Sequence, residues 1–342
     1  MYRSLEEICK EAAATGCSFW ELIQKDDCRE RQIAQEESFV QLQRMYQAMK
    51  EADQDYDGTL HSRSGLVGTD GGKLEHYVEQ NEPICGDFLG RVMEKAVKMG
   101  ESNACMKRIV AAPTAGACGV VPAVFLSMQE KYHYTDEEMT KALYVAAGIG
   151  GVIASRAFIA GAQGGCQAEI GSASAMAAGG AVHLRGGSAE AVAHAAAMAL
   201  KNLLGLVCDP VAGLVECPCI KRNAMGAVNA VLCSDMALAG ITSVIPFDEV
   251  VEAMKDVMRF WLDMGCDGFR VDMASSLVKN DTKNKKYTCK IWRNIRDMLD
   301  VEYPEAALIA EWNGPRMSLK NGFDMDFYLE WGGNGYSWLL RN

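Results

Sequence analysis

The sequence has no long uninterrupted apolar run and no apolar leader. Its longest alanine- and glycine-rich tracts are broken by polar side chains, so none is typical of a membrane-spanning helix. The N-terminal stretch MYRSLEEICKEAAATG has the pattern of a charged amphipathic helix and lacks the apolar centre of a secretory signal. Hydrophobic residues make up 49% of the 342 residues, which is enough for a buried core. We therefore expect a globular protein with no membrane partner.

An excess of basic charge is also absent. The formal net charge is -11, whereas nucleic acids and anionic membranes select proteins with a basic surface. Neither class of partner is expected.

The cysteines do not form a disulfide framework. There are thirteen of them, and without a secretory signal this number indicates reduced thiols in the cytoplasm. Cys166, Cys208 and Cys219 are predicted to lie in loops flanked by glycine and proline. Their long, unequal spacing does not fit a zinc finger, whose ligands come in tight pairs. It suits either an iron–sulfur cluster with one iron open to substrate, or three thiols packed as small hydrophobes.

Helical periodicity dominates the first three quarters of the chain. Apolar positions recur at helical spacing in residues 4–16, 19–50 and 87–99. Thr135 and Glu138 form a predicted capping box, and Ser188 is a predicted N-cap. Because alanine and glycine let helices approach closely, the pattern predicts an all-helical bundle that presents the thiol loops.

Several motifs in this region resemble one family. The most distinctive are GCQAEIGSASAMAAG (165–179) and CDPVAGLVECPCIKRN (208–223), and further matches are SFWEL (18–22), SRSGLVG (62–68), GESNACMKRIVAAPTAGACG (100–119) and AAGIGGVIASRA (146–157). Residues 1–257 thus resemble the α chain, or catalytic domain, of the iron–sulfur-dependent L-serine dehydratases. The resemblance implies a mainly α, all-helical catalytic domain and a cytoplasmic lyase.

The resemblance also implies a chemistry. Members of that family convert L-serine to pyruvate and ammonia, a step of amino-acid degradation and gluconeogenesis, without pyridoxal phosphate. Cys166, Cys208 and Cys219 match the three cysteines that hold the 4Fe-4S cluster. Cys217 stands where related sequences usually have an aliphatic residue, so it is either a bystander, which we favour, or a competing thiol.

The substrate residues are less sharply marked. Ser62, Ser64 and Gly65 belong to a predicted glycine-rich loop, residues 56–74 (YDGTLHSRSGLVGTDGGKL). The loop is either a flexible connector or, as the resemblance implies, a site that binds the substrate carboxylate. Thr114 lies in a second small-residue segment. The α-proton base is not identified, and the weak candidates are Lys107 and His61. Lys107 is either a cation for the substrate carboxylate or, as we favour, a solvated helix residue.

Composition changes sharply near residue 258. Residues 258–342 carry equal numbers of acidic and basic residues and five of the six tryptophans, whereas all five histidines precede them. Two parts this different predict a domain boundary, with residues 1–257 and 258–342 having separate origins.

The second part resembles the α-amylase superfamily of glycoside hydrolases. FRVD matches the strand that ends in the catalytic nucleophile, here Asp272, with Arg270 orienting it, and ALIAEW matches the strand before the acid, here Glu311. The two carboxylates would follow consecutive strands of a βαβ unit, with a helix at about Tyr287–Leu299 between the strands. However, a complete barrel needs about 200 residues or more. We expect an incomplete α/β, TIM-barrel-derived fragment without hydrolase activity.

Three interpretations of function remain open from the sequence. They are a serine dehydratase, a carbohydrate-related activity of the C-terminal fragment, and an inactive fusion. In two-chain members of the resembled family, the α chain works with a β chain that carries an ACT-type regulatory domain. No such domain is recognisable here, so a β-chain partner and an oligomer are expected.

Overall fold

The computed structural model describes residues 2–157, 159, 161–207, 209–255, 262–271, 274–276, 284–312 and 314–326. The chain divides into two compact units, Met1–Met254 and Lys255–Asn342. Among the described residues, every helix is too short or too polar to span a lipid bilayer.

The first unit is helical, as predicted. Its helices are α1 (Leu5–Thr15), α2 (Phe19–Arg31), α3 (Gln35–Gln54), α4 (Asp70–Gln80), α5 (Gly86–Ala104), α6 (Val120–Tyr132), α7 (Asp136–Arg156), α8 (Gly161–Leu184), α9 (Ala189–Lys201), α10 (Cys219–Leu238) and α11 (Phe247–Lys255). A short 3₁₀ helix spans Val211–Gly213. In the described part of this unit, extended pairing is limited to one bridge between His61 and Gly68.

Local sequence signals set several helix starts. The Thr135 hydroxyl accepts a hydrogen bond from the Glu138 amide, and the Glu138 carboxylate accepts one from the Thr135 amide. Ser188 caps α9 by accepting from the Ala191 amide. Both caps were predicted from sequence and are confirmed. They satisfy N–H groups that the first helical turn leaves without a partner.

Helix α8 forms the centre of the first unit. It packs against α7, α9, α10 and α6. Its buried face is built mainly from small side chains, including Ala168, Ala173, Ala175, Ala177, Ala178 and Ala181. Small side chains let the neighbouring helices pack close to the α8 backbone, which fixes α8 and the residues at its start.

The loop before α4 ends earlier than the sequence predicts. Residues 70–74 (DGGKL) were expected in the loop because of their glycines, but they form the first turn of α4. The buried carboxylate of Glu101, on α5, accepts the amides of Asp70 and Gly71 at 2.9 and 3.0 Å and the Tyr56 hydroxyl at 2.6 Å. A carboxylate at a helix N-terminus accepts hydrogen bonds from the free N–H groups of the first turn. The start of α4 is therefore stabilised by Glu101, a residue distant in sequence.

The second unit has α/β architecture, as predicted. Strands β1 (Gly268–Val271), β2 (Ala307–Ala310) and β3 (Met325–Asp326) are parallel and lie in that order. Helix α12 (Lys286–Glu302) connects β1 to β2, and α13 (Pro315–Lys320) connects β2 to β3. The rings of Trp292 and Phe323 pack edge to face, with centroids 4.8 Å apart, in the core of this unit.

Candidate active site

Two of the three predicted cluster cysteines lie at helix starts. Helix α8 is broken at Gly165, whose φ of 73° is not helical, and Cys166 begins the continuous part after the break. Cys219 is the first residue of α10. The prediction that these thiols lie in loops is wrong for both. The glycine and proline beside them mark the helix break and the helix start.

The thiols of Cys166 and Cys219 contact each other. Cys166 is 2% exposed and Cys219 is 6% exposed. The hydrogen bond between them lowers the pKa of Cys166 to about 7, and Arg222 acts in the same direction, against the opposing effects of burial and Glu169. A lowered pKa raises the thiolate fraction at neutral pH, and the thiolate is the form that binds metals.

Arg222 joins Cys166 to the segment that contains Cys208. Its Nη1 lies 3.0 Å from the Cys166 sulfur and 3.2 Å from the Val207 carbonyl oxygen. The guanidinium also donates to both carboxylate oxygens of Asp209, at 2.5 and 3.1 Å. Val207 and Asp209 flank Cys208 in sequence, so Arg222 connects both neighbours of the third predicted ligand to Cys166.

Cys208 itself lies outside the described residues. Among those that the structure describes, no three His, Cys, Asp or Glu side chains gather as a metal site. The carbonyl of Cys217 accepts the Val211 amide at 2.8 Å. That its thiol is a bystander stays a prediction.

Glu216 connects the SRSG loop (residues 62–65) to the segment that leads into Cys219. The buried Ser62 hydroxyl donates to Glu216 Oε2 at 3.0 Å, and Ser64 donates to the same oxygen. The Gly65 amide donates to the Ser62 carbonyl at 3.0 Å, within the loop. Because Glu216 is three residues before Cys219, the predicted substrate loop borders the start of α10.

Thr114 meets a carboxylate that follows Cys166 on α8. Its hydroxyl donates to Glu169 Oε1 at 2.5 Å. A Cβ at position 116 would lie only 2.5 Å from Glu169 Oε2, so Gly116 is required for the carboxylate to sit there. Buried Asn223 ties this segment to α10 by donating to the Gly116 carbonyl at 2.7 Å and accepting from the Gly119 amide at 2.9 Å.

The two base candidates do not join these contacts. Lys107 donates through its Nζ to the Asp55 carbonyl. His61 is exposed, and its backbone forms the bridge to Gly68.

Comparison with known proteins identifies the family of this chain. The family model described as serine dehydratase alpha chain matches residues 14–263. The chain belongs to the serine dehydratase alpha chain family.

Named relatives cover the same region. The chain is 44% identical over 254 residues to the probable L-serine dehydratase, alpha chain, of Bacillus subtilis, covering 74% of this chain and 85% of the relative. It is 40% identical over 256 residues to the L-serine dehydratase, alpha chain, of Peptoniphilus asaccharolyticus, covering 75% and 87%. It is 46% identical over 201 residues to L-serine dehydratase TdcG of Escherichia coli, covering 58% and 44%.

Three site residues of this serine dehydratase family chain were not found from the sequence. Glu169 and Arg222 each follow a cysteine by three positions on a helix, and Glu216 precedes Cys219 by three. Side chains three apart on a helix share a face. For Glu169 and Arg222 this signal was present, but it becomes readable only once the helix starts are known. Glu216 lies before α10, so the signal does not apply to it.

The donor set fits an iron–sulfur cluster. Two buried thiols in contact, one of them with a pKa of about 7, supply the soft anionic sulfur that iron–sulfur clusters require. Cys166 and Cys219 would each bind a different iron of such a cluster, so the hydrogen bond between their thiols would have to break first.

A second family model, the alpha amylase catalytic domain, matches residues 246–325. In this part Arg270 Nη2 donates to Glu311 Oε2 at 2.6 Å, and the Glu311 amide donates to the Val271 carbonyl at 2.9 Å. Glu311 thus follows β2, as predicted. Asp272 lies outside the described residues, so its position after β1 stays a prediction.

Proposed function

We propose that this chain is an iron–sulfur-dependent L-serine ammonia-lyase that forms pyruvate and ammonia. The contact between the buried thiols of Cys166 and Cys219, beside the segment that carries Cys208, is the observation that carries the proposal. Relatives over the same residues are named L-serine dehydratase, alpha chain.

Cys166, Cys208 and Cys219 would hold the cluster. A bound 4Fe-4S cluster with one iron free of protein thiolate supplies a Lewis acid for the serine hydroxyl, a poor leaving group. This chemistry replaces the carbanion stabilisation that pyridoxal phosphate provides in other lyases.

The SRSG loop binds the substrate in this proposal. The hydroxyls of Ser62 and Ser64, with the backbone at Gly65, are donors for the substrate carboxylate. Both hydroxyls donate to Glu216 in the structure, so they must turn toward the substrate. The Glu216 carboxylate would then accept hydrogen bonds from the substrate ammonium group, because opposite charges attract strongly where water is limited.

Glu169 is the best-placed base among the described residues of the site. It lies on the same helix face as Cys166 and accepts the Thr114 hydroxyl. Loss of the α-proton to this carboxylate and loss of hydroxide from the β-carbon would give aminoacrylate. Tautomerisation to the imine and hydrolysis then release ammonia and pyruvate.

The assembly is part of the same proposal. An α chain implies a second chain, and we infer a β chain with an ACT-type regulatory domain, joined in a cytoplasmic oligomer. Residues 1–257 form the catalytic domain. Residues 258–342 are an α-amylase-like fragment without hydrolase activity, because the described sheet of three strands cannot enclose a sugar.

The test is anaerobic purification followed by iron and sulfide analysis. We expect about four of each per chain, with the visible absorption of thiolate-bound iron and pyruvate formation from L-serine. In Cys208→Ala both the absorption and pyruvate formation should disappear, whereas Cys85→Ala, an exposed thiol distant in sequence, should retain both. Full activity in an iron-free chain would refute the proposal.

A further inference from the structure

Arg222 connects Cys166 to the two residues that flank Cys208 in sequence. Its side chain is 17% exposed although it carries a charge. It reaches three separate groups, namely the Cys166 sulfur, the Val207 carbonyl and the Asp209 carboxylate. A planar guanidinium can donate to several acceptors at fixed angles, which a lysine ammonium on its flexible stem does not reproduce.

The backbone around Cys208 depends on these contacts. On one side, the Gln167 amide donates to the Leu206 carbonyl at 3.0 Å. On the other side, the Val211 amide donates to the Cys217 carbonyl at 2.8 Å. The described residues between Leu206 and Val211 form hydrogen bonds with other segments only through Arg222, which donates to Val207 and Asp209.

We propose that Arg222 is a positioning residue that holds Val207 and Asp209, the residues that flank Cys208 in sequence, beside Cys166 before a cluster binds. The role in cluster binding rests on the proposed function. The role in ordering the segment does not, because it concerns the chain itself. Residues that orient metal ligands without binding the metal typically change metal affinity about 10- to 100-fold when mutated.

The experiment compares Arg222→Gln, Arg222→Lys and Asp209→Asn with the parent chain. Lys221→Gln is the matched control, since Lys221 is adjacent, has the same charge and is 72% exposed, with Asp70 as its ion-pair partner. Two quantities are measured. One is the rate at which a chelator removes iron under anaerobic conditions, and the other is amide hydrogen exchange across residues 203–213 in the cluster-free chain.

We expect iron loss at least about 10-fold faster in Arg222→Gln, an intermediate rate in Arg222→Lys, and the parent rate in Lys221→Gln. Exchange should rise in residues 203–213 and stay unchanged in α7 and α9. Asp209→Asn, which removes the charge of the partly exposed ion-pair partner of Arg222, should give a smaller change in the same direction. This variant keeps the test decisive if Arg222→Gln does not fold.

Two outcomes separate this inference from the proposed function. Parent rates of iron loss and exchange in folded Arg222 variants would overturn the positioning role and leave the lyase proposal intact. A parent chain that takes up no iron would refute the cluster, and the exchange measurement would still decide whether Arg222 orders the segment.

Discussion

The Ser62 hydroxyl donates a hydrogen bond of 3.0 Å to the Glu216 carboxylate, across 154 residues of sequence. The contact joins a glycine-rich loop to the segment that ends in Cys219. Because Ser62 is 5% exposed and Glu216 is 9% exposed, little water is available to replace the bond. The loop is therefore held beside the thiols.

Replacing Ser62 by alanine should weaken substrate binding. A hydrogen bond to a charged group contributes about 1.5 to 3 kcal/mol, so kcat/KM for L-serine should fall by roughly 10- to 100-fold. Steady-state pyruvate formation measures this. Thr59→Ala, which removes an exposed hydroxyl bonded to Asp57, should match the parent chain, and an unchanged kcat/KM in Ser62→Ala would remove the loop from the site.

Glu169→Gln should lower kcat while leaving the cluster in place. General base catalysis contributes about 10²- to 10⁴-fold, and glutamine keeps the size and an acceptor for Thr114 but cannot take a proton. Pyruvate formation and iron content are measured on the same sample. Glu190→Gln, in the first turn of α9, serves as the control. A variant that retains parent kcat would show that another group is the base.

Glu101→Ala should destabilise the first unit. The substitution leaves the Asp70 and Gly71 amides and the Tyr56 hydroxyl without their acceptor. An unsatisfied buried donor costs about 1 to 3 kcal/mol, and of the three residues only Gly71 is fully buried. The free energy of unfolding should therefore fall by roughly 2 to 4 kcal/mol. Denaturant unfolding checks this, with the exposed Glu79→Ala on α4 expected to change little. Equal stability of the two variants would contradict the role of Glu101.

Asp136 should contribute to the loss of stability in acid. Its hydrogen bonds with Lys50 and Gln129 hold its pKa below the usual value. Since the folded-state pKa is depressed, this stabilisation is present above the unfolded value of about 3.9 and is lost as the pH falls through the folded value. When the pH is lowered from neutral to below about 3, the free energy of unfolding should fall less in Asp136→Asn than in the parent chain. Parallel acid profiles would contradict this.

Removing residues 258–342 should leave dehydratase activity unchanged or improved, because the contacts proposed for catalysis lie before residue 224. The full chain should release no sugar from starch or maltosides. Reducing-sugar assays and pyruvate formation measure the two expectations. Turnover of a maltoside that Asp272→Asn abolishes would instead establish a hydrolase.

Features set by neighbouring residues could be predicted from the sequence. The capping box of Thr135 and Glu138 depends on two side chains three positions apart, and the structure contains it. The βαβ unit was predicted for the same reason, since its strands and helix have distinct local patterns. The predicted helix at about Tyr287–Leu299 corresponds to α12.

Features set by distant residues could not be predicted. The glycines at 71 and 72 favour a loop, but Glu101 starts a helix there from α5. The spacing of Glu169 and Arg222 from a cysteine marks them as candidate site residues only once the helix starts are known. Their importance follows from where Gly165 breaks α8 and where Pro218 precedes α10, and those boundaries depend on packing.

The long sequence separations within the site also affect the order of folding. Thr114 and Glu169 are 55 residues apart, Cys166 and Arg222 are 56 apart, and Gly116 and Asn223 are 107 apart. Contacts between residues distant in sequence form late in folding, because closing the long loop between them costs chain entropy before the contact stabilises the fold. During synthesis, the thiols therefore come together only after α10 has left the ribosome and docked, and iron delivered earlier would meet separate cysteines.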